Sequence, residues 1–283
     1  MPGSFFSELG KRLAERWLTS LILPGLLFVV AAWSAGVLGN RRALDRARLL
    51  DAAEQSMKPL EAGTGKALVT VVAALFLATI TGLTVKALAG AIEIIWTGQW
   101  RGPFRPLGRH LTNWRRNREE HTRPAGLDVP DGYRPAAPTW MGDRLGLVRK
   151  RVDTEYGCSL DLAWPRLWLL LDDTARAPVN DARRRLGEAA ALAAWGVMYL
   201  SLGTVYWPAA AAGASAFLVA WRKGRAATDA FAALVEAVVD LNIRALAEAL
   251  SLQPAPGRLP RSIGVQINDV LDKGTYIRTT PLG

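Results

Sequence analysis

The chain has 283 residues, half of which are hydrophobic, and its formal net charge at pH 7 is +10. A single cysteine excludes an intramolecular disulfide framework and a cysteine-rich metal site. The positive charge is typical of nucleic-acid binding proteins, of proteins on anionic membrane surfaces, and of membrane proteins with basic cytoplasmic segments. The distribution of that charge along the chain decides among these classes.

Apolar residues from Phe5 to Trp17 recur at four-residue steps, with basic residues between them. This pattern predicts an amphipathic helix on the inner leaflet of a membrane. The next 22 residues, Leu18–Gly39, carry no charge. Because about 20 apolar residues are enough for a helix to cross a bilayer core, they predict a first span. A cleaved signal peptide is disfavoured, since its apolar region usually has only about 7–15 residues.

A second uncharged segment, Ala67–Val85, predicts a second span, and the helical pattern continues to Trp96. Lys86 and Glu93 follow this span seven residues apart, on one helix face. One interpretation is that the pair contributes to an ion pathway or a substrate contact. Alternatively, Lys86 extends to the lipid headgroups while Glu93 lies in cytoplasmic water. We favour the second interpretation.

Another amphipathic helix is predicted after the second span, where Leu107, Leu111 and Trp114 share a face. Four basic residues around this face are predicted to contact anionic lipid: Arg105, Arg109, Arg115 and Arg116. The alternative is a solvated basic helix that packs on its own protein. Residues 122–138 are rich in Pro and Gly and predict a linker.

Two further helices are predicted before the third apolar region. Thr139 or Asp143 is expected to cap a helix that runs towards Glu155 and ends at Gly157. An apolar stretch follows. The next helix is predicted to begin near Asp173 and to continue directly into the third apolar region.

That region, Ala189–Trp221, is rich in Ala and contains Pro208. Because proline lacks a backbone donor, we expect a transmembrane hairpin with one helix to Tyr206 and a second from Pro208. A re-entrant hairpin or a helix pair buried in protein remains an open alternative.

The segment Ala226–Leu252 predicts an amphipathic helix that packs on the central region or on a second copy of itself. Its expected apolar face consists of Phe231, Leu234, Val235, Val238, Leu241 and Leu246. The tail after Pro254 is expected to be irregular, with a short strand beyond residue 274.

The basic residues predict the orientation of the spans. With the N-terminus inside, 28 Lys and Arg residues are cytoplasmic and six are outside. The opposite orientation reverses these numbers, which the positive-inside rule disfavours. Topology therefore explains most of the charge, and nucleic-acid binding is not expected.

Three motifs stand between the linker and the hairpin: Pro138-Thr139 with Gly142, Tyr156-Gly157, and Trp164-Pro165-Arg166-Leu167. They resemble a motif set of uncharacterised actinobacterial multi-pass membrane proteins, P-T-x-x-G-N, R-Y-G-L-D and W-P-R-L. This chain departs from the set at three positions: Asp143, Glu155 and Ser159. The resemblance implies a multi-pass topology, with no established activity, and the candidate functional residues within it are Tyr156, Trp164 and Arg166.

Motifs for enzymatic chemistry are weak or missing in the sequence. Gly63–Ala67 lacks the spacing of a phosphate-binding loop, and His110 and His121 have no partners at metal-ligand spacing. Cys158 is expected to be a buried thiol, and Asp172-Asp173 a helix cap rather than an acid–base pair. No cofactor or metal is expected.

The sequence thus predicts an all-α, multi-pass membrane protein with amphipathic interfacial helices and a small cytoplasmic domain. Its predicted parts are residues 1–98, 99–187, 188–222 and 223–283, with both termini on the cytoplasmic side of the inner membrane. The favoured function is a non-enzymatic anchor, sensor or scaffold that binds anionic lipids and either a cytoplasmic protein or a second copy of itself. An oligomeric channel or transporter-like pore, using Lys86 and Glu93, is the first alternative. A membrane-bound hydrolase or transferase, using Asp143, Asp161 and Arg166, is the second.

Overall fold

The computed structural model describes residues 23–61, 64–100, 102–122, 134–254, 257 and 259–272. In this part of the chain the regular structure is entirely helical, with no strand, which confirms the all-α prediction there. A short 3-10 helix spans Gly102–Phe104. The α-helices are α1 (Leu23–Leu38), α2 (Arg46–Glu61), α3 (Thr64–Trp96), α4 (Arg105–Thr122), α5 (Trp140–Tyr156), α6 (Leu160–Leu170), α7 (Asp173–Leu202), α8 (Trp207–Ala249) and α9 (Arg261–Leu271).

Several predicted features lie outside the described residues. These are the amphipathic helix between Phe5 and Trp17, the first five residues of the predicted first span, most of the linker, and the strand beyond residue 274. They stay predictions.

The helix boundaries differ from the sequence prediction at three places. Helix α2 was not predicted, and α9 occupies a tail that was expected to be irregular. Helix α8 continues without a break through Trp221, so the second hairpin helix and the C-terminal helix are one element. Pro208 is the second residue of α8, where the backbone needs no donor. The charges that follow Trp221 change the polarity of α8 but do not interrupt its backbone.

Among the described helices, α3 alone is long and apolar enough to cross a membrane, over the 32 residues Gly65–Trp96. Only 17% of its most apolar 18-residue window is buried within the structure. Helix α1 is apolar too, but its described part has 16 residues. The structure therefore contains one candidate span, and these lengths do not establish a multi-pass topology.

The chain divides into two compact units. Unit 1 contains the chain up to Ile92 together with Glu188–Arg222, and unit 2 contains Glu93–Gly187 together with the chain from Lys223. Because the boundaries fall inside α3, α7 and α8, each of these helices contributes residues to both units.

Close helix packing in unit 1 depends on glycines. A Cβ atom on Gly25 of α1 would lie 2.4 Å from the Ala78 carbonyl oxygen of α3. A Cβ atom on Gly213 of α8 would lie 2.7 Å from the Gly196 carbonyl oxygen of α7. Next to these contacts, the rings of Phe28 and Tyr199 meet edge to face at 5.3 Å. Small residues at such crossings let the backbones of packed helices approach closely.

Two connections meet at the same end of unit 1. The Asn40 side chain donates to the Thr204 carbonyl oxygen at 3.2 Å and accepts from the Trp207 backbone N–H at 2.7 Å. The Tyr206 hydroxyl donates to the Ala43 carbonyl oxygen at 3.2 Å. The turn between α7 and α8 is therefore tied to the segment that follows α1.

The core of unit 2 is formed by α5, α6, α8 and α9. Val148 and Val152 of α5, and Ala163 and Leu167 of α6, are buried. They pack with residues of α8 and α9: Ala232, Val235, Val239, Ile243, Leu246, Ala247, Ile263, Ile267 and Leu271. The C-terminal part of α8 thus packs on the central region, one of the two partners predicted for it. Leu241 does not belong to its buried face, because it is 81% exposed.

A row of polar contacts connects α5 to α8. Arg144 Nε lies 2.6 Å from Asp229 Oδ1, and Arg151 Nη1 lies 3.0 Å from Glu236 Oε1. The Tyr156 hydroxyl donates to Asp240 Oδ1 at 2.9 Å. Both members of successive pairs advance along the chain together, so the two helices run parallel.

Helix α9 packs at the corner between α5 and α6. Asn268 Oδ1 accepts from the Ser159 backbone N–H at 2.8 Å, and its Nδ2 donates to the Gly157 carbonyl oxygen at 3.0 Å. A Cβ atom on Gly264 would lie only 1.8 Å from the Tyr156 carbonyl oxygen. Close packing of α9 therefore requires glycine at this position.

We expect Gly264→Ala to destabilise unit 2 by about 1–3 kcal/mol, because the added methyl group has to displace a backbone carbonyl. Gly187→Ala is the matched control, since its Cβ would meet nothing within 4 Å inside α7. The control should keep or raise stability, by up to about 1 kcal/mol. Thermal unfolding of the full chain in detergent, followed by circular dichroism, measures both. Equal melting temperatures for the two variants would contradict the packing.

Candidate functional site

A cleft of about 280 Å³ in unit 2 contains two of the predicted functional residues, Glu93 and Trp164. We call it the Glu93 cleft. Its polar wall consists of Glu93, Thr97, Gln99, Arg149, Asp161 and Arg183. Its apolar wall includes Leu145, Val148, Trp164, Phe231 and Val235.

An ion pair between α3 and α7 closes one side of the cleft. Glu93 lies in the last turn of α3, and its Oε1 accepts a hydrogen bond from Arg183 Nη2 of α7. The Arg183 side chain is 50% exposed, so water screens the attraction. Glu93 is thus used to connect two helices.

Lys86 is an exposed residue of α3, two turns before Glu93. Lys86 and Glu93 lie on one face of α3, because a single helix carries both and they are seven residues apart. The partner of Glu93 is Arg183, so an interpretation of Glu93 that considers only Lys86 is incomplete.

A second ion pair borders the cleft, between Arg149 of α5 and Asp161 of α6. The distance from Arg149 Nε to Asp161 Oδ1 is 3.2 Å, and both side chains are more than half exposed. Exposed pairs of this kind contribute only about 0.2–1 kcal/mol.

Trp164 of α6 lines the cleft, and Trp168 lies beside it on the same helix, outside the lining. The rings of Trp164 and Trp168 are 5.8 Å apart, and the Arg176 guanidinium lies 6.0 Å from the Trp168 ring. Arg176 Nε also donates to the Trp168 carbonyl oxygen at 3.1 Å. Leu169, the next residue along α6, is 75% exposed. This part of α6 is therefore an apolar surface next to a cation.

The other two motif residues have partners elsewhere in unit 2. Tyr156 donates to Asp240 of α8. Arg166 Nη1 donates to the Leu162 carbonyl oxygen at 3.1 Å within its own helix. Of the three candidate motif residues Trp164 alone lines the cleft, beside its motif neighbour Pro165, and no described contact brings Tyr156 or Arg166 to it.

The remaining motif residues define local structure. Thr139 caps α5, because its hydroxyl accepts from the Gly142 N–H at 3.1 Å and donates to the Trp96 carbonyl oxygen at 2.6 Å. Gly157 ends α5 in the left-handed region with φ of 68°. Both boundaries confirm the sequence prediction, in which Asp143 was the alternative cap.

Asp143 instead fixes the segment before α5. Its Oδ1 accepts from the backbone N–H groups of Ala136 and Ala137 at 2.8 and 2.6 Å. Its Oδ2 lies 2.7 Å from Arg115 Nη1. Asp143, Asp161 and Arg166, the residues of the hydrolase or transferase alternative, thus each have a different partner.

Arg115 has a protein partner that the sequence did not reveal. Besides Asp143, its Nη1 donates to the Ala137 carbonyl oxygen at 2.6 Å, and Arg116 Nη2 donates to the Pro135 carbonyl oxygen at 3.3 Å. Both guanidinium groups therefore have protein partners, and their lipid contacts stay a prediction. Arg105 and Arg109 are exposed on α4, and their lipid contacts stay a prediction.

The residues for which the sequence predicted a structural rather than a chemical role lie where such a role is expected. Burial raises the pKa of Cys158 to about 11, and the charge of Asp153 adds to this shift. Asp172 caps α7 by accepting from the Ala175 N–H at 2.8 Å, and this backbone hydrogen bond holds the pKa of Asp172 below its usual value. His110 and His121 are exposed on α4.

We expect Cys158 to react with a disulfide reagent at least about 100-fold more slowly in the folded chain than in urea. The raised pKa favours the neutral thiol in the fold. Its contribution to stability is therefore complete below pH 9 and is lost as the pH rises towards 11. Thiol titration between pH 8 and 11 measures the reaction rate and the raised pKa, with Cys158→Ala as the background. Fast reaction at pH 8 without denaturant would contradict the buried position.

Comparisons of the chain with protein-family models, with curated proteins and with solved structures found no match.

Proposed function

We propose that the chain is an integral membrane protein with several spans, whose unit 2 acts in the cytoplasm as a non-enzymatic anchor, sensor or scaffold. The observation that carries this proposal is the apolar, little-buried surface of α3. Phe76, for example, is 65% exposed, Val69 is 69% exposed and Leu83 is 51% exposed.

Lipid is the solvent that suits such a helix. A core helix of a water-soluble protein would bury most of its apolar residues, whereas 17% of the apolar window of α3 is buried. Each large apolar side chain left in water forgoes about 1.5–3 kcal/mol of transfer free energy. A helix this long also exceeds the roughly 30 Å thickness of a bilayer core.

The other helices of unit 1 support additional spans. The glycine contacts between α1 and α3, and between α7 and α8, resemble the packing of membrane helices. The contacts of Asn40 hold the end of α1 beside the turn between α7 and α8. Both connections therefore leave a bilayer on one side, which in the proposed orientation is the outside.

The exposed face of α4 supports contact with anionic lipid. Leu107 and Trp114 are 51% and 53% exposed, and Arg105 and Arg109 are exposed on the same helix. An apolar face with flanking arginines is attracted to a negatively charged leaflet.

The construction of unit 2 supports a binding role rather than catalysis. Its charged groups are used in pairs that hold helices together, such as Arg144 with Asp229 and Arg151 with Glu236. Exposed apolar residues, Leu169 and Leu241, remain on its surface. We propose that these contact a cytoplasmic protein or a second copy of the chain. Cross-linking and mass determination in detergent test this, and a stable monomer that captures no protein would contradict it.

Cysteine labelling with a membrane-impermeant maleimide tests the topology in a Cys158→Ala background. We expect Gln55→Cys in α2 and Thr204→Cys in the turn after α7 to be labelled from outside intact cells. Thr154→Cys in α5 should react only after permeabilisation. A re-entrant hairpin open to the cytoplasm would leave Thr204→Cys unlabelled from outside, and the opposite orientation would reverse the pattern.

Charges in α3 should prevent stable insertion if α3 spans the bilayer. Arginine near the centre of a span costs about 2.5–3.5 kcal/mol on insertion scales. We therefore expect Val72→Arg combined with Phe76→Arg to shift the chain from the carbonate-resistant membrane fraction to the soluble or aggregated fraction. Leu50→Arg is the control, since Leu50 is 65% exposed on the polar helix α2. Unchanged membrane retention of the double variant would contradict a spanning α3.

A further inference from the structure

A second cavity of unit 2, about 490 Å³ in volume, is lined by an excess of basic side chains. We call it the basic cavity. Its walls come from α4, from the segment before α5, from one face of α5, and from the residues that follow α3. The cationic residues of its lining are Arg115, Arg134, Arg144, Arg149 and Lys150, and the acidic ones are Glu119 and Asp143.

Three of the five cations have an acidic partner, since Arg115 pairs with Asp143, Arg144 with Asp229 and Arg149 with Asp161. Asp143 is fully used, because it accepts two backbone N–H groups and pairs with Arg115. Arg149 has Asp161 as its partner, but both side chains are more than half exposed, so the pair is weak and Arg149 is accessible to another anion. Lys150 is exposed at the same edge. The exposed edge of the cavity, formed by Arg149 and Lys150, therefore attracts anions.

The cavity also has room for more than an inorganic ion. Specific ligand sites usually enclose about 300–1,000 Å³. Gly146 of α5 lines the cavity, and a Cβ atom there would meet nothing within 4 Å. A longer side chain at this position would enter the open space.

We propose that the basic cavity binds a phosphate-bearing anion, with Arg149 and Lys150 as its principal charged contacts. The arginine fork matches phosphate oxygens in pairs, and lysine adds a point charge. The phosphate belongs either to a soluble ester or to an anionic lipid headgroup. Thr97 and Gln99 follow directly on α3, so a lipid source rests on the proposed span, whereas a soluble ester does not.

Two probes distinguish the sources: sn-glycerol 3-phosphate, by calorimetric titration of the full chain in neutral detergent, and phosphatidylglycerol against phosphatidylcholine, by native mass spectrometry. We expect saturable binding of at least the soluble probe, and affinity should fall as ionic strength rises. Retention of phosphatidylglycerol over phosphatidylcholine would extend the ligand to lipid. If the cavity binds the lipid, selective retention of phosphatidylglycerol should depend on the residues of the cavity and not only on the basic face of α4.

Arg149→Gln with Lys150→Gln should weaken binding of sn-glycerol 3-phosphate at least tenfold, because it removes two exposed cations from the lining. Arg105→Gln with Arg109→Gln is the charge-matched control. It removes two exposed cations of α4 that are outside the lining, and should leave this affinity within about twofold. Equal losses in the two double variants would show non-specific charge attraction and overturn the site.

Gly146 provides a test that leaves every charge in place. Gly146→Leu should abolish binding by filling the cavity, whereas Gly146→Ala should retain it, and thermal melting confirms that both variants are folded. If Gly146→Leu is unfolded, the variant with Arg149→Gln and Lys150→Gln tests the proposal instead. The proposal is overturned if neither probe binds the wild-type chain at millimolar concentration, or if folded Gly146→Leu binds as well as Gly146→Ala. Neither result depends on whether α3 spans a bilayer.

Discussion

The packing of the C-terminal half of α8 against α5, α6 and α9 is the interaction on which unit 2 depends. Val239, Ile243 and Leu246 form the buried face of α8 in this core. The contacts of Arg144 and Arg151 set the register between α8 and the parallel helix α5. With α5 held in this way, its residues contribute walls to both the Glu93 cleft and the basic cavity. Both candidate sites are thus consequences of one helix packing.

Helix α3 combines two environments in one element. Its exposed apolar surface belongs to unit 1, while its last turn, from Glu93 to Trp96, belongs to unit 2. There Glu93 pairs with Arg183, and the Trp96 carbonyl oxygen accepts from Thr139. The residues of the proposed membrane helix and those of the cleft are therefore continuous in the chain.

Local signals in the sequence were sufficient for some elements. Thr139 and Gly157 mark the ends of α5, and Asp172 marks the start of α7, because caps act within one helical turn. Other elements depend on distant partners. Helix α9 is held by Gly264 against Tyr156 and by Asn268 against Ser159, contacts that span more than a hundred residues. The sequence near α9 shows prolines and glycines, which favour an irregular tail. The residues that hold α9 lie far away in the sequence, so the local pattern did not indicate them.

The sequence by itself determined the helical class, the apolar length of α3 and the three boundaries at Thr139, Gly157 and Asp172, since these follow from composition, periodicity and local caps. Only the tertiary structure decided that Glu93 pairs with Arg183 and that Arg115 pairs with Asp143. It also decided that Leu241 is exposed while Val239 is buried. The choice of partner depends on which helix faces meet, and a helical period shows that a face exists without showing what covers it.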